Sequence, residues 1–454
     1  MVLPPERSLA SARDVALRVL ERVARANAFA SRELDAELER ARLPPLERAL
    51  ASEIVYGVLR QRARLDRALE RFAPRGLARI DEAVRAALRA GAYQLLVLER
   101  VPSFAAVDET VGWVKRRRGA KMAGLANALL RKLATDGEMP PTAFEVDPLE
   151  HLAQAESLPP WLARRVVTRL GADQALAFAR AQNARAPVCL RANTRRTTAG
   201  ALAERLTRDV EGVESHRGAL TPEALHATGL GAPHHLAAYK EGLFAIQDEA
   251  AQLVAHLVAP SPGARVLDAC AGVGTKSTHL AALMDDRGRV DAIDTNGAKL
   301  ERCGEAARRL GLAIVNPARA ELASWPGDGY DAVLLDAPCS GLGILRLHPE
   351  AKWRFDEAQI ARLTAAQARL LEAAACRVRP GGALVYSVCT FTDEETDAVV
   401  AAFLRGHDDF AITRPLAGPV GRGAVAEPDG SVRTWTHRHF VDTFYAARLQ
   451  RAAR

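Results

Sequence analysis

Two kinds of hydrophobic periodicity divide the chain. Between residues 10 and 140, apolar residues recur every three to four positions in segments such as "ARDVALRVLERVARA" and "IDEAVRAALRAGAYQLLVLE". From about residue 246, short apolar runs such as "ARVLDAC", "RVDAID" and "YDAVLLDA" alternate with helical segments at 297–310 and 357–378. The first pattern is typical of amphipathic helices and predicts an all-α bundle. The second predicts an α/β domain whose parallel sheet is covered by helices on both faces.

The segment between these regions has a mixed pattern. Residues 136–165 are rich in proline and predict a linker followed by a short helix. Residues 186–245 combine a strand ("PVCLRAN"), a helix ("TAGALAERLT") and glycine-rich turns, which indicates a small α+β module. A chain of 454 residues is too long for one compact core. We therefore predict a helical domain over 1–140, a linker and small module over 141–245, and an α/β domain over 246–454.

Positive charge is concentrated in the helical region. Residues 1–140 hold 26 Lys and Arg against 18 Asp and Glu, whereas the remainder holds 36 against 37. The surplus includes the run Lys115–Arg118. A basic domain joined to a neutral one fits a nucleic-acid partner, with phosphates contacting this run. A solvated helix face on an arginine-rich chain explains the charge equally well, so both interpretations stay open.

Membrane and metal association are not indicated. No apolar run approaches the length of a membrane span, and the N-terminus lacks the pattern of a secretory signal. The six cysteines form no C-x-x-C pair and no zinc spacing with histidines. We expect a cytoplasmic protein that binds no membrane and no metal. The cysteines are Cys189, Cys270, Cys303, Cys339, Cys376 and Cys389.

A glycine turn follows the first strand of the α/β region, in "DACAGVGTKSTHL". Asp268 ends the strand, Gly272 and Gly274 make the turn, and a helix begins near Lys276. The turn is neither G-x-G-x-x-G nor a P-loop, but it matches the looser D-x-x-x-G-x-G turn of methyltransferases that use S-adenosylmethionine. Asp294 ends the next strand and is placed to accept hydrogen bonds from ribose hydroxyls. A structural tight turn and a helix-capping acid are the alternatives.

Two later strands each end in a cysteine. "DAVLLDAPCSG" places Asp336 and Cys339 after the fourth strand, and "YSVCTFTDEET" places Cys389 after the fifth. Thr392 and Glu395 have the spacing of a capping box, which predicts a helix start there. Parallel strands deliver their carboxyl ends to one edge of a sheet, so both thiols are expected beside the cofactor turn. A lone buried cysteine is usually only a small hydrophobic residue.

A thiolate, a carboxyl group and a methyl donor suit methylation of cytosine at C5. That carbon is a weak nucleophile until a thiolate adds at C6 and converts the ring to an enamine. An acid near N3 stabilises the charge of the adduct, and a base later removes the C5 proton so that the thiolate can leave. The strand-end positions by themselves do not decide which thiol attacks.

At these residues the chain resembles the Fmu/Sun (RsmB-like) ribosomal RNA cytosine-5 methyltransferases over nearly its whole length. "DAPCSG" and the strand-five cysteine match the two cysteine motifs of that family, and "EGLFAIQDEAAQLVAHLV" resembles its lead-in to the cofactor domain. "LERALASEIVYGVLRQRARLD" resembles the NusB-like helical domain at the N-terminus of these enzymes, and "APVCLRANTRR" the start of their middle RNA-binding region.

The resemblance implies a NusB-like domain, an RNA-binding middle module and a Rossmann-like class I methyltransferase domain. It further implies a monomer that uses S-adenosylmethionine and acts on RNA, with small-subunit ribosomal RNA as the expected substrate. Carried over by position, Cys389 is the nucleophile, Cys339 assists product release, Asp336 contacts the cytosine edge, and Lys276 lies beside it. The implied cofactor-binding residues are Cys270, Ala271, Gly272, Val273, Gly274, Thr275, Lys276, Asp294 and Asp336.

The chain departs from the family pattern in three places. The family's cofactor loop usually reads C-A-A-P-G-G-K, whereas here residues 270–276 read C-A-G-V-G-T-K. The third strand lacks the acid expected near the cofactor and has 317–320 as "PARA". Thr443 stands where the family tends to have glycine. A different RNA target and a non-catalytic RNA-binding protein on a methyltransferase scaffold therefore remain alternatives.

Methyltransferases of other classes fit less well. Enzymes that methylate amines are expected to carry an N/D-P-P-Y/F loop after the fourth strand, and this chain has "DAPC" instead. DNA cytosine methyltransferases usually carry their cysteine in a Pro-Cys loop at that place. The second cysteine, Cys389 after the fifth strand, favours RNA.

Overall fold

The computed structural model describes residues 11–26, 28–413 and 425–453. The described chain forms two compact units. One contains the residues up to 184 together with 345–354, and the other contains 185–344 and the residues from 355 onward. The boundaries predicted at 140 and 245 stay predictions. Within the described ranges, no helix has both the length and the apolar character of a transmembrane segment.

The first unit is helical, as predicted. Its core is built from the buried faces of amphipathic helices, with Val15, Ile54, Leu88 and Leu130 almost inaccessible to solvent. The longest helix changes direction at Gly119, whose φ of 80° is outside the helical region. The helices are α1 (Ala12–Ala26), α2 (Ala30–Ala41), α3 (Pro45–Arg60), α4 (Arg62–Glu70), α5 (Glu82–Leu96), α6 (Ser103–Asp136), α7 (Pro148–Gln154), α8 (Pro160–Leu170) and α9 (Ala172–Asn183).

The basic run Lys115–Arg118 lies on α6, where carboxylates hold its arginines. The N···O distances of the three pairs are 2.9, 3.0 and 2.9 Å, for Arg116–Asp14, Arg117–Glu21 and Arg118–Asp81. The pairs of Arg116 and Arg118 are solvent-exposed, whereas Glu21 is buried. Exposed pairs contribute little to stability and can exchange partners. Contact between this run and phosphates stays a prediction.

Residues 345–354 pack within the helical unit, although the chain on either side of them belongs to the second unit. Pro349–Trp353 form a 3-10 helix. The buried Lys352 Nζ donates hydrogen bonds to Arg60 O at 2.8 Å and Asn183 Oδ1 at 3.2 Å, and Trp353 Nε1 donates to Leu59 O at 2.9 Å.

The second unit begins with an antiparallel sheet of four strands in the order β2-β3-β1-β4. This is the predicted α+β module, and Leu190, Leu202 and Phe244 form part of its buried core. Its strands are β1 (Val188–Ala192), β2 (Glu214–Arg217), β3 (Ala224–Thr228) and β4 (Phe244–Ile246), and its helices are α10 (Ala199–Asp209) and α11 (Ala237–Lys240).

The larger sheet of this unit has the strand order β10-β12-β9-β8-β5-β6-β7, and β11 pairs with β12. Strands β5 to β9 pair in parallel, as predicted, and β12 runs antiparallel to β9. The strands are β5 (Arg265–Asp268), β6 (Arg289–Asp294), β7 (Val315–Arg319), β8 (Tyr330–Asp336), β9 (Val378–Val388), β10 (Phe410–Ile412), β11 (Val432–Arg433) and β12 (Tyr445–Arg451).

Helices cover both faces of this sheet, which explains its continuous apolar runs. Leu334 packs into one hydrophobic cluster, and the next residue, Leu335, packs into another, because successive side chains of a strand point to opposite faces. The helices are α12 (Glu249–Val258), α13 (Thr275–Leu283), α14 (Gly297–Leu310), α15 (Glu357–Ala375), α16 (Asp397–Gly406) and α17 (Thr436–His439). The predicted α/β architecture is confirmed.

Candidate active site

The turn after β5 needs its second glycine. Gly272 and Gly274 have φ values of 55° and 77°, a region that favours glycine. A Cβ on Gly274 would lie 2.2 Å from Cys303 Sγ, so a larger residue does not fit between the turn and α14. Helix α13 begins directly after this glycine, at Thr275. The turn therefore offers a tightly packed backbone at a helix N-terminus, which suits close approach of a nucleoside cofactor.

Asp294, at the end of β6, is tied to this turn. Its Oδ2 accepts a hydrogen bond from Gly272 N at 3.0 Å, and its Oδ1 accepts one from Asn296 N at 2.8 Å. The cap of α14 is Asn296, whose side chain accepts from Lys299 N. The helix-capping alternative for Asp294 is therefore wrong, since Asn296 does that work. The predicted role of Asp294 on the ribose stays a prediction.

Asp268 ends β5 next to the glycine turn, and the sequence pattern indicated no further role for it. Its Oδ2 accepts from Ser277 Oγ at 2.6 Å. Among the described residues, no hydrogen bond of normal geometry reaches its buried Oδ1. Burial raises the pKa of Asp268 to about 6, and the nearby charge of Asp336 acts in the same direction. The backbone N–H of Cys270 also approaches this carboxylate and partly offsets its burial. A buried carboxylate of this kind suits a cationic ligand group such as the ammonium of S-adenosylmethionine.

Asp336 and Lys276 form a hydrogen-bonded ion pair. Lys276 Nζ lies 2.6 Å from Asp336 Oδ2, and Ser387 Oγ donates to Asp336 Oδ1 at 2.7 Å. Burial disfavours the charged form of Lys276, but the charge and hydrogen bond of Asp336 outweigh it and raise the pKa of the lysine. Lys276 therefore keeps its proton, and its ammonium also lies 5.4 Å from the centre of the Phe444 ring.

The two strand-end thiols are adjacent. Cys339 Sγ lies 3.3 Å from Cys389 Sγ. The hydrogen bond to Cys389 raises the pKa of Cys339 well above its usual value, and burial adds to this effect. Cys339 therefore keeps its proton at neutral pH and can donate it toward Cys389. The register of β8 and β9 pairs Asp336 with Ser387, two residues before Cys389, so the ion pair and the thiols share one edge of the sheet.

The capping box predicted at Thr392 and Glu395 is wrong. The Thr392 hydroxyl donates to Glu395 Oε2 at 2.8 Å and caps no helix. Asp393–Glu395 form a single 3-10 turn, and α16 begins only at Asp397. The Glu395 carboxylate instead accepts hydrogen bonds from Ser340, in the loop that carries Cys339. Its partner is therefore a distant loop and not the backbone N–H of Thr392 that a capping box would use.

The departures from the family pattern lie at defined places. Strand β7 runs through 317–319 and ends at Arg319, whose Nε donates to Thr295 O at 3.1 Å, so no acid stands at that strand end. Thr443 is buried, and its hydroxyl lies 3.0 Å from that of Thr436. The Thr443 side chain therefore forms a buried hydrogen bond within the protein.

Among the described residues, Glu223, His256 and His279 bring three possible metal ligands together, two of them buried and His256 half-buried. Glu223 Oε1 lies 2.6 Å from His256 Nε2 and 2.7 Å from His279 Nε2. Two atoms bound to one tetrahedral zinc ion lie about 3.3 Å apart, given zinc–nitrogen bonds of about 2.0–2.1 Å. Burial, with the charge of Arg191, lowers the pKa of His279 to about 3 and keeps that ring neutral. The distances fit an imidazole–carboxylate–imidazole group better than a bound ion.

Comparison with known proteins identifies the three parts of the chain. Residues 255–450 match the model of the 16S rRNA methyltransferase RsmB/F family, residues 10–135 match the NusB family, and residues 158–230 match the ferredoxin-like domain of RsmF/B-like methyltransferases. The last match spans α8, α9 and most of the four-stranded sheet.

Known proteins are similar to this chain over most of their length. The chain is 31% identical to a probable ribosomal RNA small subunit methyltransferase B of Synechocystis, over 97% of this chain and 100% of the relative. It is 34% identical to the probable methyltransferase of the same name from Bacillus subtilis, over 88% and 89% of the two chains. These values establish a family relationship.

Solved structures agree. The crystal structure of PH0851 is 26% identical, with a TM-score of 0.82 over 99% of this chain and all of that one. A methyltransferase homologue from Pyrococcus horikoshii is 26% identical, with a TM-score of 0.58 over 67% and 98% of the two chains. Fold, domain matches and relatives agree that this chain belongs to the RsmB/F family of S-adenosylmethionine-dependent 16S rRNA methyltransferases, and that it carries a NusB-family domain before the methyltransferase domain.

Proposed function

We propose that this protein transfers a methyl group to C5 of a cytosine in small-subunit ribosomal RNA, through a covalent bond between Cys389 and C6. The observation that carries the proposal is the pair of thiols 3.3 Å apart, at the sheet edge where Asp336 pairs with Lys276 of α13. S-adenosylmethionine, when bound, supplies the electrophilic methyl group. The chain itself supplies the nucleophile, the contacts to the base and the proton transfers.

Cytosine must leave any base stack before a thiolate can reach C6. Asp336 would hold the base by its Watson–Crick edge, with its carboxyl group near N3 and the N4 amino group. Lys276 places a positive charge 2.6 Å from that carboxylate, which offsets the negative charge that develops on the ring. When Cys389 bonds to C6, the electron pair of the C5–C6 double bond becomes available at C5.

The protonation of the thiol pair supports Cys389 as the attacking residue. Cys339 holds its proton, because its hydrogen bond with Cys389 and its burial raise its pKa. A thiol that keeps its proton is a poor nucleophile, because the thiolate is the attacking form. After methyl transfer, the C5 proton passes to water, the C5–C6 double bond re-forms and the bond to Cys389 breaks. Cys339 would assist this step by donating its proton toward the departing sulfur of Cys389.

A gel of protein incubated with 16S rRNA and S-adenosylmethionine tests the assignment. Cys389→Ala should abolish methylation and form no adduct. Cys339→Ala should attack but release poorly, so a denaturant-resistant protein–RNA complex should accumulate. Cys376→Ala, which changes an exposed cysteine on the same unit, should behave like the wild type. A trapped complex with Cys389→Ala would reverse the two roles.

Bisulfite sequencing of ribosomal RNA from cells with and without the protein tests the modified atom. A cytosine protected only when the protein is present is the expected result. If no cytosine is protected and neither Cys389→Ala nor Cys339→Ala affects RNA methylation, the thiol mechanism is wrong.

A further inference from the structure

A single carboxylate joins the two loops that carry the thiols. Glu395 is fully buried, at 0% exposure. Its carboxylate accepts hydrogen bonds from Ser340 and Thr390, the residues that follow Cys339 and Cys389. We propose that Glu395 is a positioning residue that sets the spacing of Cys339 and Cys389. The proposal rests on the proposed function for its catalytic meaning, but the spacing itself can be measured independently.

The contacts to the first loop involve Ser340, the residue after Cys339. Ser340 N donates to Glu395 Oε1 at 2.8 Å, and Ser340 Oγ donates to Oε2 at 2.6 Å. Main chain and side chain of one residue thus bind both oxygens of one carboxylate. This two-point contact fixes the orientation of the loop as well as its distance from Glu395.

The contacts to the second loop involve Thr390, the residue after Cys389. Its Oγ1 lies 2.9 Å from Ser340 Oγ and 3.3 Å from Glu395 Oε2. Each hydroxyl has one proton to donate. Because the Ser340 proton is directed to Glu395, the single proton of Thr390 has two acceptors within reach, Ser340 Oγ and Glu395 Oε2. The residues after both cysteines therefore contact the same carboxylate and also contact each other.

Further donors hold the carboxylate in place. Gln367 of α15 donates from the same amide nitrogen to Pro338 O at 2.9 Å and to Glu395 Oε1 at 3.0 Å. The hydroxyl of Tyr386 donates to the main-chain carbonyl oxygen of Glu395 at 2.7 Å and holds the backbone at this residue. The carboxylate oxygens accept from Ser340, Thr390 and Gln367. An amide in its place would turn one oxygen into a donor that opposes another donor.

The spacing matters because both thiols take part in the proposed reaction, Cys389 bonded to C6 and Cys339 beside the sulfur that must leave. A displacement of a reacting group by about 1 Å can cost about 100-fold in rate. Loss of the Glu395 contacts frees both loops from their shared anchor. The expected consequence is slower chemistry with little change in cofactor binding, because the glycine turn and Asp294 make none of these contacts.

The matched variants are Glu395→Gln and Glu394→Gln, which make the same chemical change at neighbouring positions. Glu394 makes none of the loop contacts described above and is only half-buried. The first measurement is the rate at which the oxidant diamide joins Cys339 to Cys389 as a disulfide, followed by mass spectrometry of the linked peptides. This rate reports the thiol spacing whether or not the protein methylates cytosine.

Glu395→Gln should slow the cross-linking at least tenfold and single-turnover methylation about 100-fold. Calorimetry should show the affinity for S-adenosylmethionine within twofold of the wild type, and Glu394→Gln should match the wild type in all three measurements. If Glu395→Gln forms the disulfide at the wild-type rate, the positioning role is overturned. If Glu395→Gln slows cross-linking as expected but the wild type methylates no cytosine, the positioning role stands and the proposed function is overturned.

A second variant decides the question if Glu395→Gln fails to fold. Ser340→Ala removes only the hydroxyl that joins Thr390 to Glu395 and retains the backbone hydrogen bond to Oε1. It should slow cross-linking severalfold while cofactor affinity stays unchanged. Cross-linking at the wild-type rate in this variant would contradict the proposal.

Discussion

Cofactor affinity should fall when the pH is lowered through 6, because of Asp268. Burial raises the pKa of this carboxyl group to about 6, so the free protein carries a proton there under mildly acidic conditions. The ammonium group of S-adenosylmethionine prefers an ionised carboxylate beside it. The ammonium itself stays charged below pH 7, because the pKa of an α-amino group is about 7.7–8.0. Lowering the pH therefore titrates the protein side of the contact alone.

The magnitude follows from the population of the ionised form. If only that form binds, the apparent Kd is multiplied by 1 + 10^(6 − pH), which is about 1.1 at pH 7, about 2 at pH 6 and about 11 at pH 5. Affinity should thus drop about tenfold between pH 7 and pH 5. The direction is set by the raised pKa, since a carboxyl group of ordinary pKa would remain ionised throughout this range.

Calorimetric titration with S-adenosylhomocysteine or S-adenosylmethionine at pH 5, 6 and 7 measures this profile. Asp268→Asn is the control, since it removes the titrating group but retains an acceptor for Ser277. The variant should bind more weakly at pH 7, by about 1–3 kcal/mol, and its affinity should not change with pH. A change of less than twofold in the wild type, or the wild-type profile in Asp268→Asn, would refute the role given to this carboxylate.

Three further predictions concern other parts of the chain. Asp294→Ala should weaken cofactor binding by about 1–3 kcal/mol, and unchanged affinity in calorimetry would remove Asp294 from the site. Replacing Arg116, Arg117 and Arg118 by glutamine should reduce the slope of log K against log salt for RNA binding by about 2–3, and an unaltered slope would mean that this run contacts no phosphate. Burial lowers the pKa of Lys352 to about 7 from 10.5, so the unfolded chain binds this proton between those values and stability should rise with pH there. In urea unfolding, the wild type should gain about 2 kcal/mol between pH 7 and pH 9 relative to Lys352→Met, and equal gains would place the lysine in a hydrated environment.

The sequence alone determined the strands of the α/β domain and what stands at their ends. The run before Asp336 is continuously apolar because Leu334 and Leu335 are buried on opposite faces of the sheet. Parallel pairing then brings the ends of β8 and β9 to one edge. The proximity of Cys339 and Cys389 follows from strand order, which local patterns and the family resemblance were enough to predict.

Local patterns failed where a partner came from far along the chain. Thr392 and Glu395 have capping-box spacing, yet Glu395 binds Ser340, which lies 55 positions earlier. Spacing reports only the backbone groups that a side chain can reach locally. It carries no information about a loop that packs against the same carboxylate.

Only the tertiary structure decided which groups lose water and which charges face each other. Asp268 and Lys352 look like ordinary charged residues in the sequence, but burial shifts the pKa of the first up and of the second down. The 3.3 Å separation of the thiols and the proton held by Cys339 likewise depend on the packing of two loops around Glu395. Hydrophobic periodicity is a local property of the chain, whereas desolvation and charge pairing arise from contacts between distant segments.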